Sequence, residues 1–289
     1  MAALTEQQIN SFWTKGFLMV EDAVEPQALQ AMRGDFANWV EDSKAQVDAY
    51  GKTIDGRARF DLETGHSTEK PSLRRINAPI EVSEHYFNAS MNSLVTDCIA
   101  DLIGPNVKFH HAKINSKLPN SKTVVRWHQD FSFTPHTNDD LVTALLFIDD
   151  VTEENGPLKV VPGSHKGRIY SLWHDGVFTG AIDNDKAQVC EDTSVLCTGK
   201  AGSVCLMHTR LLHGSSVNNS LNSRTLHISV YSAEDAIAVS PNPVPSKYHG
   251  LVVRGERTGR IRASEFDMEM PKMPDTASFF EQQKHHQAS

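Results

Sequence analysis

The sequence predicts a mainly β protein with flanking helices, a double-sheet barrel buttressed by its N-terminal part. Three observations carry this. Beyond Pro105, short runs rich in β-branched and aromatic residues recur, broken by Gly, Pro and Asn. Before Pro105, apolar residues recur at helical spacing between recognisable start and stop residues. The 289 residues contain no internal repeat or low-complexity tract and fit one large domain. Within that domain, 1–105 is expected to be mostly helical and 106–232 to form the β core, with an insertion at 166–196. Residues 233–289 read as a C-terminal extension.

Taken in order, Thr5-Glu6-Gln7-Gln8 has the form of a capping box, and Gly16 stops the short helix that follows. Phe17 to Val24 reads as a strand. Pro26 suits the first turn of a longer helix with Leu29, Met32, Phe36 and Val40 on one face, ending before Gly51. Gly51 to Pro71 is polar, glycine-bearing and aperiodic, which predicts a loop. Ser83 is the expected cap of a second long helix with Phe87, Met91, Leu94, Val95, Cys98 and Leu102 inward, closed by Gly104-Pro105. Strands are expected at 107–117, 123–128, 141–148, 158–161, 203–207 and 225–231. The segment from Lys166 to Leu196 is poorly periodic, and its Trp173 and Phe178 suit either a lid or a surface excursion. The tail after Pro241 is polar and weakly patterned.

Composition excludes several function classes. A net charge of −8 argues against nucleic acid or an anionic membrane as the main partner. The four cysteines, Cys98, Cys190, Cys197 and Cys205, show no C-x-x-C spacing and suit free thiols in a reducing compartment. The N-terminus lacks the form of a secretory signal, no apolar stretch is long enough to span a membrane, and the final Gln-Ala-Ser is not a peroxisomal address. The expected location is the cytoplasm.

The chemistry is concentrated at Trp127-His128-Gln129-Asp130. Side chains two apart on an extended chain share a face, so the His128 imidazole and the Asp130 carboxylate converge. A further histidine, His213 or His208, completes two His and one carboxylate. That set suits a non-haem Fe(II) oxygenase, and it also suits catalytic zinc. Arg224 opens a strand that reads as buried, where an unpaired guanidinium is costly and so calls for an anion. By strand parity Lys113, Asn115 and Lys117 share one face, and Thr143, Leu145 and Phe147 another. Arg126 shares parity with His128. His110, His111, His165 and His227 are expected to be structural or exposed.

The ordered series Trp127-His-Gln-Asp-Phe131, Glu153-Glu-Asn-Gly-Pro-Leu158, Val161-Pro-Gly-Ser-His-Lys166, Ala201-Gly-Ser-Val204 and His213-Gly-Ser215 resembles the phytanoyl-CoA dioxygenase family of Fe(II)/2-oxoglutarate oxygenases. The motif-bearing part runs from about Lys113 to Tyr231. The resemblance implies a double-stranded β-helix core, a jelly roll of cupin type. It implies His128, Asp130 and His213 as iron ligands, with no catalytic residue beyond them. It implies Arg224 and Ser215 on the distal carboxylate of 2-oxoglutarate, and Thr143, Asn115 and Lys113 are candidate neighbours of that co-substrate. Dioxygen is the co-reactant and ascorbate an expected stimulant. Arg74-Arg75 falls where the family has a basic co-substrate contact. Leu145 stands where the best-known relative has an aromatic residue, so this cavity is expected to differ in shape. Asp130 occupies the position that related halogenases give to a small residue, which argues against halogenation.

The expected activity is hydroxylation of a small or medium organic acid or polar anion, with release of succinate and CO2. Candidate substrate contacts are Gln129, Arg126, Arg75 and Trp173. The anionic expectation rests on the cations Arg57, Arg59, Arg74, Arg75, Lys113, Lys117 and Arg126 in a chain of negative net charge. Three alternatives stand beside it: an acyl-CoA hydroxylase of the same family, a zinc hydrolase, and a non-catalytic binding barrel. The absence of H-E-x-x-H and the presence of Arg224 disfavour zinc.

Overall fold

A computed structural model describes residues 2–272; the Gln-Ala-Ser terminus read above lies outside them. The centre of the fold is β14 (Arg224–Ala233), flanked by β5 (Val107–Lys117) and β7 (Leu141–Phe147). All pairings in this sheet are antiparallel. Arg224 lies opposite Lys117, and Leu226 lies opposite both Asn115 and Phe147. The sheet continues from β7 to β12 (Val204–His208) and β1 (Phe17–Val20). On the other side it runs from β5 to β4 (Leu73–Asn77), β3 (Ala58–Leu62) and β2 (Tyr50–Lys52). Among the described residues the facing sheet has the order β11 (Val195–Cys197), β8 (Leu158–Val160), β13 (His213–Ser215), β6 (Val125–His128). The two sheets enclose the cavity that holds the site, and they form the jelly-roll core.

At its centre the major sheet is buried on both faces, which explains why β7 reads Leu-Val-Thr-Ala-Leu-Leu-Phe without a polar alternation. Val142, Ala144 and Leu146 pack against the helices, while Thr143 and Leu145 face the cavity. The helical layer comprises α1 (Glu6–Lys15), α2 (Pro26–Ser43), α3 (Glu84–Met91) and α4 (Leu94–Ile103). The capping box at Thr5 and the left-handed Gly16 bound α1 as expected. The layer is also stitched to β14 by polar contacts. Tyr231 Oη donates to the Ser90 carbonyl at 2.8 Å, and Ser90 Oγ lies 2.8 Å from His227 Nε2.

The structure departs from the expected elements in four places. The loop expected at Gly51–Pro71 contains the hairpin β2–β3, and β4 follows it. Their inward positions are polar: Arg59 pairs with Glu81 at 2.7 Å and Asp61 with Arg74 at 3.0 Å. Ion pairs in place of apolar residues erase the alternation that marks a strand. The single long helix from Ser83 is instead two, because Ser93 starts a new capping box with Thr96. That restart rotates the inward face and leaves Leu94 41% exposed. The mostly helical 1–105 also supplies four strands of the major sheet. Finally, the 166–196 insertion is ordered as a hairpin of β9 (Trp173–His174) and β10 (Val177–Phe178), then α5 (Asn184–Thr193) and β11. The C-terminal extension contributes β15 (Val252–Arg254), which pairs with β5.

Candidate metal centre

His128 ends β6 and His213 begins β13, and the two residues are direct cross-strand partners. Their rings lie 4.1 Å apart, centroid to centroid. Extended backbone at Gln129 carries the chain to Asp130, where a 3-10 turn over Asp130–Ser132 begins. Asp130 Oδ1 lies 3.5 Å from Nε2 of both His128 and His213. One ligand atom from each residue falls within 4.8 Å of the others, the only such cluster of three His, Cys, Asp or Glu among the described residues.

The second atoms of these side chains are held by the frame. His128 Nδ1 is 2.7 Å from the Arg126 carbonyl and His213 Nδ1 is 2.9 Å from that of Leu211. A carbonyl only accepts, so Nδ1 carries the proton and each Nε2 lone pair points inward. Thr143 Oγ1 donates to Asp130 Oδ2 at 2.7 Å, leaving Oδ1 for a metal. Burial alone would push the Asp130 carboxyl up, but the His213 and His128 imidazoles together hold it well below the usual carboxylate range. Burial and the neighbouring His213 push His128 down. Ionised carboxylate and neutral imidazole are the forms a divalent metal takes. Two imidazoles and one carboxylate on one side, with cavity on the other, fit Fe(II).

A second group lies where β14 begins and β5 ends. Arg224 is 4% exposed; its Nη2 donates to the Gly156 carbonyl at 2.7 Å, and its Nε is buried without a partner. Lys117 Nζ donates to Ser215 Oγ at 2.8 Å and to the Ser216 carbonyl. Burial pushes Arg224 down to about 10; it pushes Lys117 down to about 6, helped by Arg224. A guanidinium and an amine buried side by side, with an unused guanidinium N–H, fit a dianionic ligand such as 2-oxoglutarate, whose charge would favour the protonated form of Lys117.

The cavity between these groups measures about 150 Å³. Asn115, Lys113, Thr143, Arg75, Ser215 and Arg224 all line it. Other candidates fall elsewhere. The parity that joins His128 to Asp130 sends Gln129 the opposite way. Its amide donates to the carbonyls of Arg210 and Arg168 and accepts from Tyr170 N–H, tying the two ligand-bearing loops together. Arg126 is not in the lining, because a bulge opposite β13 pairs Ser215 with Val125 and turns Val125 inward instead. Trp173 donates Nε1–H to the Met270 carbonyl and packs on Phe178, behind the wall residue Phe133. Neither forms a lid over the cavity. Arg57 and Arg59 are neutralised by Asp55 and Glu81.

His111, expected to be structural or exposed, lines the cavity; its odd parity with Lys113 was the available signal. Pro271 and Lys272, from the weakly patterned tail, also line the cavity, and nothing in the sequence pointed to them. His208, the rival third ligand, packs against Trp13 and His165 away from the cluster.

The family described as phytanoyl-CoA dioxygenase matches residues 12–226. A probable alpha-ketoglutarate-dependent hypophosphite dioxygenase of Stutzerimonas stutzeri is 33% identical over 92% of this chain and 91% of its own. An ectoine dioxygenase of Sphingopyxis alaskensis is 25% identical over 80% and 77%. The crystal structure of EctD from S. alaskensis in its apo form superposes with a TM-score of 0.69 at 21% identity, covering 89% of this chain and 88% of that one. Its likeness extends to the fold.

Proposed function

The chain belongs to the phytanoyl-CoA dioxygenase family, and from that premise we propose that it is an Fe(II)- and 2-oxoglutarate-dependent dioxygenase that hydroxylates a small polar anion. The observation that carries this reading is the pairing of the His128–Asp130–His213 cluster with the buried Arg224–Lys117 pair across one cavity. Iron, when bound, supplies the activation of dioxygen. In the overall balance 2-oxoglutarate becomes succinate and CO2, one oxygen atom enters succinate, and the other enters the substrate's X–H bond to give X–OH.

The protein's share is placement and exclusion of water. Arg224 and Ser215, with Lys117, hold the distal carboxylate of 2-oxoglutarate. Thr143 orients the Asp130 carboxylate through its hydroxyl and also lines the cavity. Asn115 and Lys113 stand on the cavity face of β5, and Leu145 and Phe133 keep the centre apolar.

A substrate of compact size is supported by the cavity, which is well below the roughly 300–1,000 Å³ of sites for drug-sized ligands. The hypophosphite named for the Stutzerimonas stutzeri relative is a compact anion and agrees with this class. We read residues 1–289 as one oxygenase domain, since strands from before and after the jelly roll pair within its major sheet. Cytoplasmic residence is our reading of four unpaired buried cysteines. No helix of the described residues is long and apolar enough to cross a membrane.

The test is anaerobic addition of Fe(II) and 2-oxoglutarate, which should give a weak visible charge-transfer band. Succinate release is then measured across carboxylates, phosphonates, phosphinates, amino acids, quaternary amines and acyl-CoAs. A folded protein without the band refutes the oxygenase. Coupling to neutral or cationic compounds alone refutes the anionic substrate.

A further inference from the structure

One buried side chain of the cavity wall belongs neither to the metal cluster nor to the 2-oxoglutarate group. His111 lines the cavity and is 4% exposed. Its orientation follows from a bulge in β5. Val230 of β14 pairs with His111 and Tyr231 pairs with Phe109, so His110 and His111 together face one step of the partner strand. Alternation would send adjacent side chains to opposite faces; here the two rings meet, Nδ1 to Nδ1, at 2.6 Å. His110 is fixed from behind. Its ring packs edge-on against those of His136 and His249, and its carbonyl accepts from Asn242 Nδ2–H at 2.8 Å. The sheet register locates His111 relative to the metal cluster. His111, Val230 and Thr143 form one row across β5, β14 and β7, and all three line the cavity. Two strand spacings put the His111 and Thr143 backbones about 10 Å apart. Thr143 is the residue whose hydroxyl donates to Asp130 Oδ2 at 2.7 Å. Lys117, beside Arg224, stands six residues further along β5, about 20 Å at about 3.3 Å per residue.

Two neutral imidazoles in an Nδ1–Nδ1 contact share one proton: one ring donates and the other accepts. Burial keeps both rings neutral, pushing His111 down to about 3 and His110 well below its ordinary value. Their outer nitrogens differ. His110 Nε2 is buried without a partner, whereas His111 Nε2 has no partner among the described residues and is not sealed in the protein. If His111 were the donor, His110 would carry its proton on Nε2 and bury an N–H with no acceptor. Orphaned buried donors are rarer than under-used acceptors. The hydrogen-bond network therefore assigns the donor to His110 Nδ1–H and the acceptor to His111 Nδ1. The His111 proton sits on Nε2, on the ring edge left for the cavity.

We propose that His111 Nε2–H holds an oxygen of the substrate in the row of the sheet that also holds Asp130, and that His110 is the positioning residue that fixes its tautomer. The inference rests on the dioxygenase reading above and adds to it the polarity of one contact. The substrate presents a hydrogen-bond acceptor to this wall. A carboxylate, phosphonate or phosphinate oxygen does so, and a charged acceptor strengthens the bond; an ammonium group offers none.

Two readouts test this. Long-range nitrogen-15 correlation spectra of the Zn(II)-loaded protein, with zinc as a diamagnetic ion, report the tautomers; spectra of His111→Gln and His110→Asn assign the peaks. His111 should carry Nε2–H and His110 Nδ1–H, and the reverse pair overturns the proposal. In His110→Phe the lock is lost and His111 should show both tautomers; a single unchanged tautomer there overturns the positioning role. The second readout is thermal stabilisation of the Fe(II)-loaded protein, anaerobic and saturated with 2-oxoglutarate, by sodium hypophosphite, methylphosphonate or acetate. His111→Phe keeps a ring without the donor and should raise the midpoint concentration of the stabilising anion by at least about 10-fold. His111→Gln, whose amide reaches the Nε2 position, should recover most of that loss. His111→Asn, whose amide ends near Nδ1, should not. If His111→Phe fails to fold, the Gln and Asn variants decide. The proposal is overturned if none of the three anions stabilises the parent, or if the Gln and Asn variants bind the anion equally. It is equally overturned if the 2-oxoglutarate midpoint shifts as much as the anion midpoint. Failure of the dioxygenase reading is distinct: the charge-transfer band would be missing before any anion is added.

Discussion

Thr143 shows how a residue outside the ligand set tunes it. Its hydroxyl occupies Asp130 Oδ2, so Oδ1 is presented in one orientation. Thr143→Val keeps the shape of the side chain but removes the donor and leaves a carboxylate oxygen unsatisfied. Loss of such an outer contact weakens metal binding by about 10–100-fold, which competition with a chromophoric chelator would measure. Arg224→Gln removes charge from a buried anion contact. The cost of about 2–5 kcal/mol corresponds to a rise in the 2-oxoglutarate requirement of roughly 30-fold or more, with iron affinity little changed. An unaltered dependence on 2-oxoglutarate in succinate assays would move the anchor elsewhere.

Among the elements, β13 and β6 set the spacing of the candidate metal ligands His128 and His213. Gly214 allows the close approach: a Cβ there would stand 2.9 Å from the Val125 carbonyl and 3.4 Å from the Trp127 ring. Gly214→Ala should therefore push β6 away from β13 and carry His128 with it. Overpacking of this kind costs about 1–3 kcal/mol, and the misplacement should reduce iron occupancy more than it lowers the melting temperature suggests. Full iron loading in that variant would mean that the bulge absorbs the extra methyl. The same bulge, opposite Ser215, decides that Val125 rather than Arg126 faces the cavity.

Across the whole molecule, the buried histidines should dominate acid sensitivity. Burial pushes His111, His208 and His227 down to about 3 from an ordinary value of 6.5. Depressed folded values mean that the unfolded chain binds these protons first as the pH falls. Their contribution to stability is thus complete above about pH 6.5 and lost progressively toward pH 3. Each such histidine adds a slope of up to about 1.4 kcal/mol per pH unit within that window. Asp130, held low in the fold, acts in the same direction below its ordinary value. Denaturant titrations at pH 7.5, 6 and 5 should show falling stability; a flat profile would mean that these rings take up protons without unfolding.

Local pattern determined much of this protein. The caps at Thr5, Ser83 and Gly16, the apolar runs of β7 and β14, and the H-x-D spacing each depend on neighbours in sequence, which is why they were legible there. So was Arg224, because a cation opening an apolar strand implies an anion. Other features depend on residues far apart. The β2–β3 hairpin was hidden because its inward positions are satisfied by Glu81 and Arg74, partners no periodicity reveals. Gln129 and Arg126 were assigned to the cavity by proximity and parity, and one hydrogen-bond network and one bulge placed them outside it. The Thr143–Asp130 hydrogen bond joins two segments that no local pattern links, and Lys272 reached the cavity wall through a tail with no pattern of its own. The sequence by itself determined which groups are present and their local order. The pairing of strands distant along the chain decided which of them share one cavity, because a cross-strand register is a property of two segments at once.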